Sequence, residues 1–199
     1  MSVVPNEEIS LTSSFTIEAW VKPESFIGPG GIKGIVSKYH VDGVPSYAVR
    51  LINGKVNFTV GDGDRNEVTS YQELPLNQWT HVAATFNVHD GVISIYINGV
   101  QDIMKSGATL ATNTSDLRIG VDFNNRFFEG GIDDVRIWSG ARTAAQILQL
   151  KNNDLVGIEA GLMNYWKLNT ATDGVTPDLA GFNNVGIVEG TQILIENSR

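Results

Sequence analysis

No cysteine occurs among the 199 residues. That excludes a fold stapled by disulfides and any zinc site built on thiolates. A chain of this length buries enough surface to do without staples. Basic residues are scarce: 14 lysines and arginines stand against 22 aspartates and glutamates, a formal charge of −8. A nucleic-acid partner, which needs a basic face to neutralise phosphates, is excluded on that ground. A calcium ion or a neutral glycan suits the charge better. No apolar run approaches the roughly 18 residues that a membrane-spanning helix requires, so membrane insertion is not expected. The opening Met1-Ser2-Val3-Val4-Pro5 has neither the basic nor the apolar region of a signal peptide. If the protein is exported, its export signal is expected outside this chain. The three histidines, His40, His81 and His89, stand in no H-E-x-x-H context, and neither a G-x-S-x-G elbow nor a phosphate-binding loop is present.

What is there is period-two alternation. Phe15, Ile17, Ala19 and Val21 share one side of a run that ends at Pro23. Tyr47, Val49 and Leu51 alternate up to Asn53-Gly54, and Val56, Phe58 and Val60 follow; Ile93, Ile95 and Ile97 lead into Asn98-Gly99. Asn-Gly between two alternating runs predicts a hairpin, because both central turn residues need positive φ. In the run from Gln78 to Phe86, Val82, Ala84 and Phe86 take one face and Trp79, His81 and Ala83 the other. This run is expected to be buried on at least one side, with Trp79 as a core residue. Leu117 to Gly120, Ile132 to Trp138 and Met163 to Leu168 add further strands. One helix is predicted, capped by Thr143 with Gln146 three residues on and carrying Ile147, Leu148 and Leu150 as an apolar stripe. Many strands, regular turns and a lone helix give an all-β class: an antiparallel two-sheet sandwich, not a βαβ fold.

Four segments, S-F-T-I-E-A-W-V-K-P (Ser14 to Pro23), L-P-L-N-Q-W-T-H-V-A (Leu74 to Ala83), I-Y-I-N-G (Ile95 to Gly99) and G-G-I-D-D-V-R-I-W (Gly130 to Trp138), occur in an order that resembles concanavalin A-like, laminin-G-like jelly rolls. The likeness is greatest to the pentraxin-related bacterial subset. Ser139 to Ile147 resembles the short helix that follows the last of these strands in that subset. The resemblance implies a jelly-roll sandwich and one lectin-type domain over residues 1–199, found on the cell surface or secreted. It is less specific for function, since such domains include glycan binders, protein-binding modules and spacers. One departure concerns order. Leu162 to Leu168 and Asp178 to Gly186 resemble segments that open the domain in many relatives, and here they come last. Either they close the sandwich from the C-terminal side, or the chain is a piece of a tandem array.

Catalytic residues are not expected. Glucanases of this fold set carboxylates on one central strand to flank a glycosidic bond. The matching strand here offers only the neighbours Asp133 and Asp134, which an undisturbed strand points to opposite faces. Calcium is the cofactor to consider, at three places. Asp62, Asp64, Asn66, Ser70 and Glu73 have calcium-loop spacing, but Glu67 stands where that loop needs glycine, and an acidic hairpin facing water is the better reading. The pentraxin resemblance implies metal ligands at Asp42 and Asp122, and the laminin-G resemblance implies Asp178 and Asn184. For ligand binding the expected rim joins Tyr39, His40 and Asp42 to Asp122, Phe123, Asn124 and Asn125. An aromatic face and planar amides are what a sugar ring and its hydroxyls require. Trp20, Trp79, Trp138 and Trp166 are expected to be packing residues. The partner implied is a glycan or cell-surface glycoconjugate, with a protein ligand of a spacer or interaction module as the alternative.

Overall fold

The computed structural model describes residues 2–3, 11–39, 43–61, 66–169, 175–180 and 186–187. In chain order the strands are β1 (Ser2–Val3), β2 (Phe15–Pro23), β3 (Ile32–Tyr39), β4 (Pro45–Ile52), β5 (Lys55–Val60), β6 (Glu67–Glu73), β7 (Thr80–Asn87), β8 (Val92–Ile97) and β9 (Val100–Lys105). Then follow β10 (Leu117–Ile119), β11 (Val121–Asp122), β12 (Arg126–Phe127), β13 (Gly130–Ser139), helix α1 (Ala144–Leu150), β14 (Leu162–Trp166), β15 (Val175–Thr176) and β16 (Gly186–Ile187). Two sheets result, both antiparallel in every pairing. One has eight strands in the order β15-β16-β1-β10-β3-β4-β5-β6, the other six in the order β14-β13-β2-β7-β8-β9. Strands β11 and β12 form a separate ribbon. The C-terminal segments join both sheets, β14 against β13 and β16 against β1, which is the closing arrangement.

Alternation builds the core as the sequence predicts. Phe15, Ile17, Ala19, Val21, Val82, Ala84, Phe86, Ile93 and Ile95 from the six-stranded sheet meet Tyr47, Val49, Leu51, Val56, Phe58 and Val60 from the other, all buried in one cluster. Phe15 holds the two layers together. Its ring lies 5.7 Å from Phe86 in its own sheet, and 5.5 Å from Tyr47 and 6.1 Å from Phe58 across the gap. Both Asn-Gly hairpins form, with positive φ at Asn53, Gly54, Asn98 and Gly99 as a two-residue turn of this twist demands.

Helix α1 begins as predicted. Thr143 Oγ1 accepts from the Gln146 amide at 3.3 Å, and Gln146 Oε1 accepts from the Thr143 amide at 2.8 Å. Its apolar stripe is narrower than expected: Ile147 is fully buried, while Leu148 is 55% exposed. With seven residues the helix has one inward position per turn, and Ile147 fills it against Ala83 and Tyr96.

The tryptophans divide. Trp138 and Trp166 are buried, but Trp79 is not a core residue. It precedes β7 and lies on the outer side, its ring covering Gly131 so closely that a Cβ there would come within 2.6 Å of it. The alternation was right, and it is the side carrying Val82, Ala84 and Phe86 that faces the core. Phe127, 58% exposed, also points away from the core, whereas Phe128 packs against it.

Candidate functional site

On the outer face of the eight-stranded sheet a cavity of about 450 Å³ is lined by residues of β3 to β6, by Lys105 at the end of β9, and by Phe123 and Arg126 of the β11–β12 ribbon. Arg50 is its floor. It lies between the core residues Val49 and Leu51, so strand alternation turns it outward. Its Nε donates to Asn57 Oδ1 at 2.8 Å, one terminal nitrogen donates to the Tyr39 hydroxyl and to Asp122 Oδ2 at 3.2 Å, and the other reaches Glu67 Oε2 at 3.4 Å. Asn57 completes the lattice by donating to Glu67 Oε1 at 3.0 Å and Thr69 Oγ1 at 2.8 Å. Four strands and the ribbon are thus tied to one guanidinium, whose planar fork of donors suits such a hub. Burial, then the neighbouring Asp122 charge, push the Tyr39 hydroxyl well above the usual phenol range, so it stays protonated.

The ribbon is held over β3 by close backbone approach. A Cβ at Gly34 would lie 2.1 Å from the Asp122 amide nitrogen, and Ser37 Oγ donates to the Val121 carbonyl at 2.7 Å. The Phe123 ring stacks on Tyr39, centroids 5.7 Å apart and planes 27° off parallel, with Gly43 close against its edge. Asn124 and Asn125 are exposed, and both backbones are left-handed, with φ of 59° and 57°. Such conformations are uncommon outside glycine, and asparagine tolerates them best.

Of the expected rim residues, Tyr39 and Phe123 line the cavity and Asp122 is buried against Arg50 at its floor, while Asn124 and Asn125 are exposed on the turn after Phe123 and are not lining residues. His40 and Asp42 lie outside the described residues. The sequence reading missed Arg50, Asn57, Glu67, Thr69, Lys105 and Arg126. The available signal was polar residues at outward positions of β4 to β6, which ordinarily mark a solvated face.

The described residues do not by themselves fit calcium, which takes six to eight oxygens. Asp122 is 1% exposed; its Oδ2 faces Arg50 at 3.2 Å and Arg126 at 3.8 Å, leaving Oδ1 without a hydrogen-bond partner among the described residues. One oxygen flanked by two guanidiniums is a poor cation site. At the second expected place, Asp178 Oδ1 accepts from the amides of Tyr165 at 2.8 Å and Ala180 at 3.0 Å, and Oδ2 accepts from Asn164 Nδ2 at 2.8 Å. Asp178 thereby latches its turn to β14; Asn184 lies outside the described residues. In the third segment, Asp62 and Asp64 also lie outside them. Asn66 instead accepts from the Thr109 amide at 2.7 Å, and Ser70 accepts from the Val56 amide at 2.9 Å. Among the described residues no group of three or more histidine, aspartate or glutamate side chains is placed to hold a metal ion.

A second polar layer lies on the outer face of the six-stranded sheet. Glu18 Oε1 accepts from Trp138 Nε1 at 2.8 Å and lies 3.6 Å from Arg136, while Oε2 lies 3.6 Å from His81 Nε2. Arg136 also donates to Asp134 Oδ2 at 3.1 Å and to the carbonyls of Leu150 and Asn153 at 2.9 and 2.8 Å. Tyr165 donates to Asp134 Oδ1 at 2.7 Å. A β-bulge between Asp133 and Arg136, with Asp134 at φ 49°, breaks the alternation that the sequence implied for this strand. Glu18 and Asp134 are each 1% exposed beneath α1 and the segment after it. Burial pushes the Glu18 carboxyl above its usual range against the pull of Arg136. These carboxylates are sealed from any polysaccharide, which an acid and nucleophile pair must flank directly.

The profile of a family described as the concanavalin A-like lectin/glucanases superfamily matches residues 2–148. The human pentraxin-related protein PTX3 is 28% identical over 141 residues, covering 67% of this chain and 35% of that protein. The chain thus spans about a third of that relative's length. Among solved structures, a Bacteroides ovatus protein proposed to bind carbohydrate superposes with a TM-score of 0.71 at 23% identity, over 92% of this chain and 56% of the other. A Ruminococcus gnavus sialidase module, CBM40, bound to α2,3-sialyllactose, gives 0.59 at 12% identity, over 69% of this chain and 82% of the other. At such identities the structural likeness shows the fold.

Proposed function

The chain belongs to the concanavalin A-like lectin/glucanases superfamily, and on that footing we propose that it is a non-catalytic carbohydrate- or glycoconjugate-binding module of an extracellular or cell-surface protein. The observation that carries this reading is the Arg50-floored cavity. It combines the stacked Tyr39–Phe123 pair with the Thr59 and Thr69 hydroxyls, and the exposed Asn124 and Asn125 follow Phe123 in the chain. Apolar faces beside a few fixed polar groups are the usual make-up of a small-molecule site. The carbohydrate-binding neighbours of this fold support the reading. The burial of Glu18 and Asp134 supports the non-catalytic part. Among the described residues no helix is long and apolar enough to cross a membrane.

Calcium is not written into the proposal, because the described residues fall short of a site for it. A glycan array probed with the purified chain, once in calcium and once in chelator, tests both points. Binding in both conditions supports the proposal as stated. Binding in calcium alone restores the expected cation, and an array empty in both sinks the glycan reading. The competing reading is a protein-interaction or spacer module of a larger surface protein. It is favoured by the share of the pentraxin-related relative that the chain matches, 35% of its length.

A further inference from the structure

The chain as a whole is acidic, with a formal charge of −8, yet among the described residues the charged side chains around the cavity are three cations against two carboxylates. Three cationic side chains line it, Arg50, Lys105 and Arg126, and the described carboxylates beside it are Glu67 and Asp122. Both carboxylates are engaged by Arg50, although the Glu67 side chain stays 42% exposed. Asp122 is buried against Arg50, and Glu67 accepts from Asn57 and meets the other end of Arg50. Arg126 has a different position. Its guanidinium stands 3.8 Å from Asp122, beyond hydrogen-bond length, and its side chain is 25% exposed at the mouth. Lys105 lines the same cavity from the other sheet and donates to the Glu67 carbonyl at 3.2 Å.

Resting on the glycan reading above, we propose that the cavity selects sugars bearing a carboxylate, with Arg126 and Lys105 as the residues that recognise the charge. The stacked Tyr39–Phe123 pair supplies the apolar side of the site, and a carboxylate at the mouth meets an arginine able to grip it with two parallel N–H donors. Arg50 acts as a positioning residue, since it gives four hydrogen bonds within the protein. Asp42, Asp62 and Asp64 adjoin the lining segments in sequence and lie outside the described residues. Carboxylates at the mouth would reverse the preference, and the test reads that reversal directly.

The experiment titrates the full chain, by calorimetry or ligand-observed NMR, with oligosaccharides ending in glucuronate, galacturonate or sialate. Each is set beside its own methyl ester, which keeps the shape and removes the charge. At least one acid should bind about tenfold or more tightly than its ester, and the preference should shrink as salt rises. R126Q and K105Q should each reduce binding of the acid by a larger factor than binding of the ester, so that the preference shrinks, whereas R126K should keep part of it; melting curves identify any variant that has lost its fold. Esters that bind as well as or better than their acids overturn this inference and leave the glycan reading standing. If neither acids nor esters bind and the array is empty, the glycan reading fails and takes the inference with it.

Discussion

Gly34 and Asp122 meet backbone to backbone: a Cβ on Gly34 would stand 2.1 Å from the Asp122 amide nitrogen and 2.2 Å from the Val121 carbonyl carbon. Both obstacles are main chain, so no side-chain rotation can make room. Gly34→Ala should therefore push the β11–β12 ribbon away from β3 and cost about 1–3 kcal/mol, the usual range for overpacking. The cavity loses its wall in that variant, so ligand binding should fall further than stability does. Amide chemical shifts of residues 121–127 that match the parent protein would show that the ribbon is not held in this way.

The buried Glu18 gives a pH dependence with a definite sign. Its folded-state pKa is raised above the ordinary 4.5, chiefly by desolvation. The stabilisation from this group is therefore fully present below the unfolded value and is lost as pH rises through the folded one. Glu18→Gln keeps an acceptor for Trp138 Nε1 and removes the charge, while Arg136 retains Asp134 and two backbone carbonyls. Urea melts across pH 4 to 8 should show the parent losing ground to the variant as pH increases. A parent that gains on the variant over that range would mean Arg136 and His81 outweigh burial, and the assignment would be reversed.

Trp79 and Trp138 differ in what truncation removes. Trp138→Ala empties a buried site and leaves Glu18 without its indole donor, so it should cost about 3–5 kcal/mol or more. Trp79 is partly exposed over Gly131, with Lys22 Nζ 5.7 Å from its ring centre. Its removal opens no cavity, and the cost should stay below about 2 kcal/mol. Equal losses in denaturant melts would put Trp79 back in the core.

The strands, both Asn-Gly turns and the Thr143 cap were legible because each depends on neighbours in sequence. Tyr39 and Phe123 could be set together only through the family resemblance, since 84 positions separate them and no local pattern links them. What stayed hidden were polar groups that become buried by tertiary contact. Arg50 and Glu18 both occupy outward positions of alternating strands, where alternation predicts solvent. Whether a ribbon or a helix later covers such a position is decided by close approaches such as that at Gly34, and by bulges such as that at Asp134, neither of which has a periodic signature.

The last prediction separates the ring of Tyr39 from its hydroxyl. The ring stacks on Phe123 at the cavity mouth, and the hydroxyl accepts a hydrogen bond from Arg50 on the floor. If the aromatic pair is the surface that meets a sugar, Tyr39→Phe should retain most of the affinity, because the stack survives and Arg50 keeps Asn57, Asp122 and Glu67. Tyr39→Ala and Phe123→Ala remove one half of the pair each and should weaken binding about tenfold. Sites open to solvent on this scale bind weakly, so the parent affinity is expected near the millimolar to high-micromolar range, about 4–6 kcal/mol. Tyr39 and Phe123 are both partly exposed at the rim, and their melting temperatures should stay close to the parent's. Binding that survives both alanine substitutions would place the site elsewhere. Binding that falls with Tyr39→Phe as much as with Tyr39→Ala would show that the hydroxyl's hold on Arg50, not the ring, is what the ligand depends on.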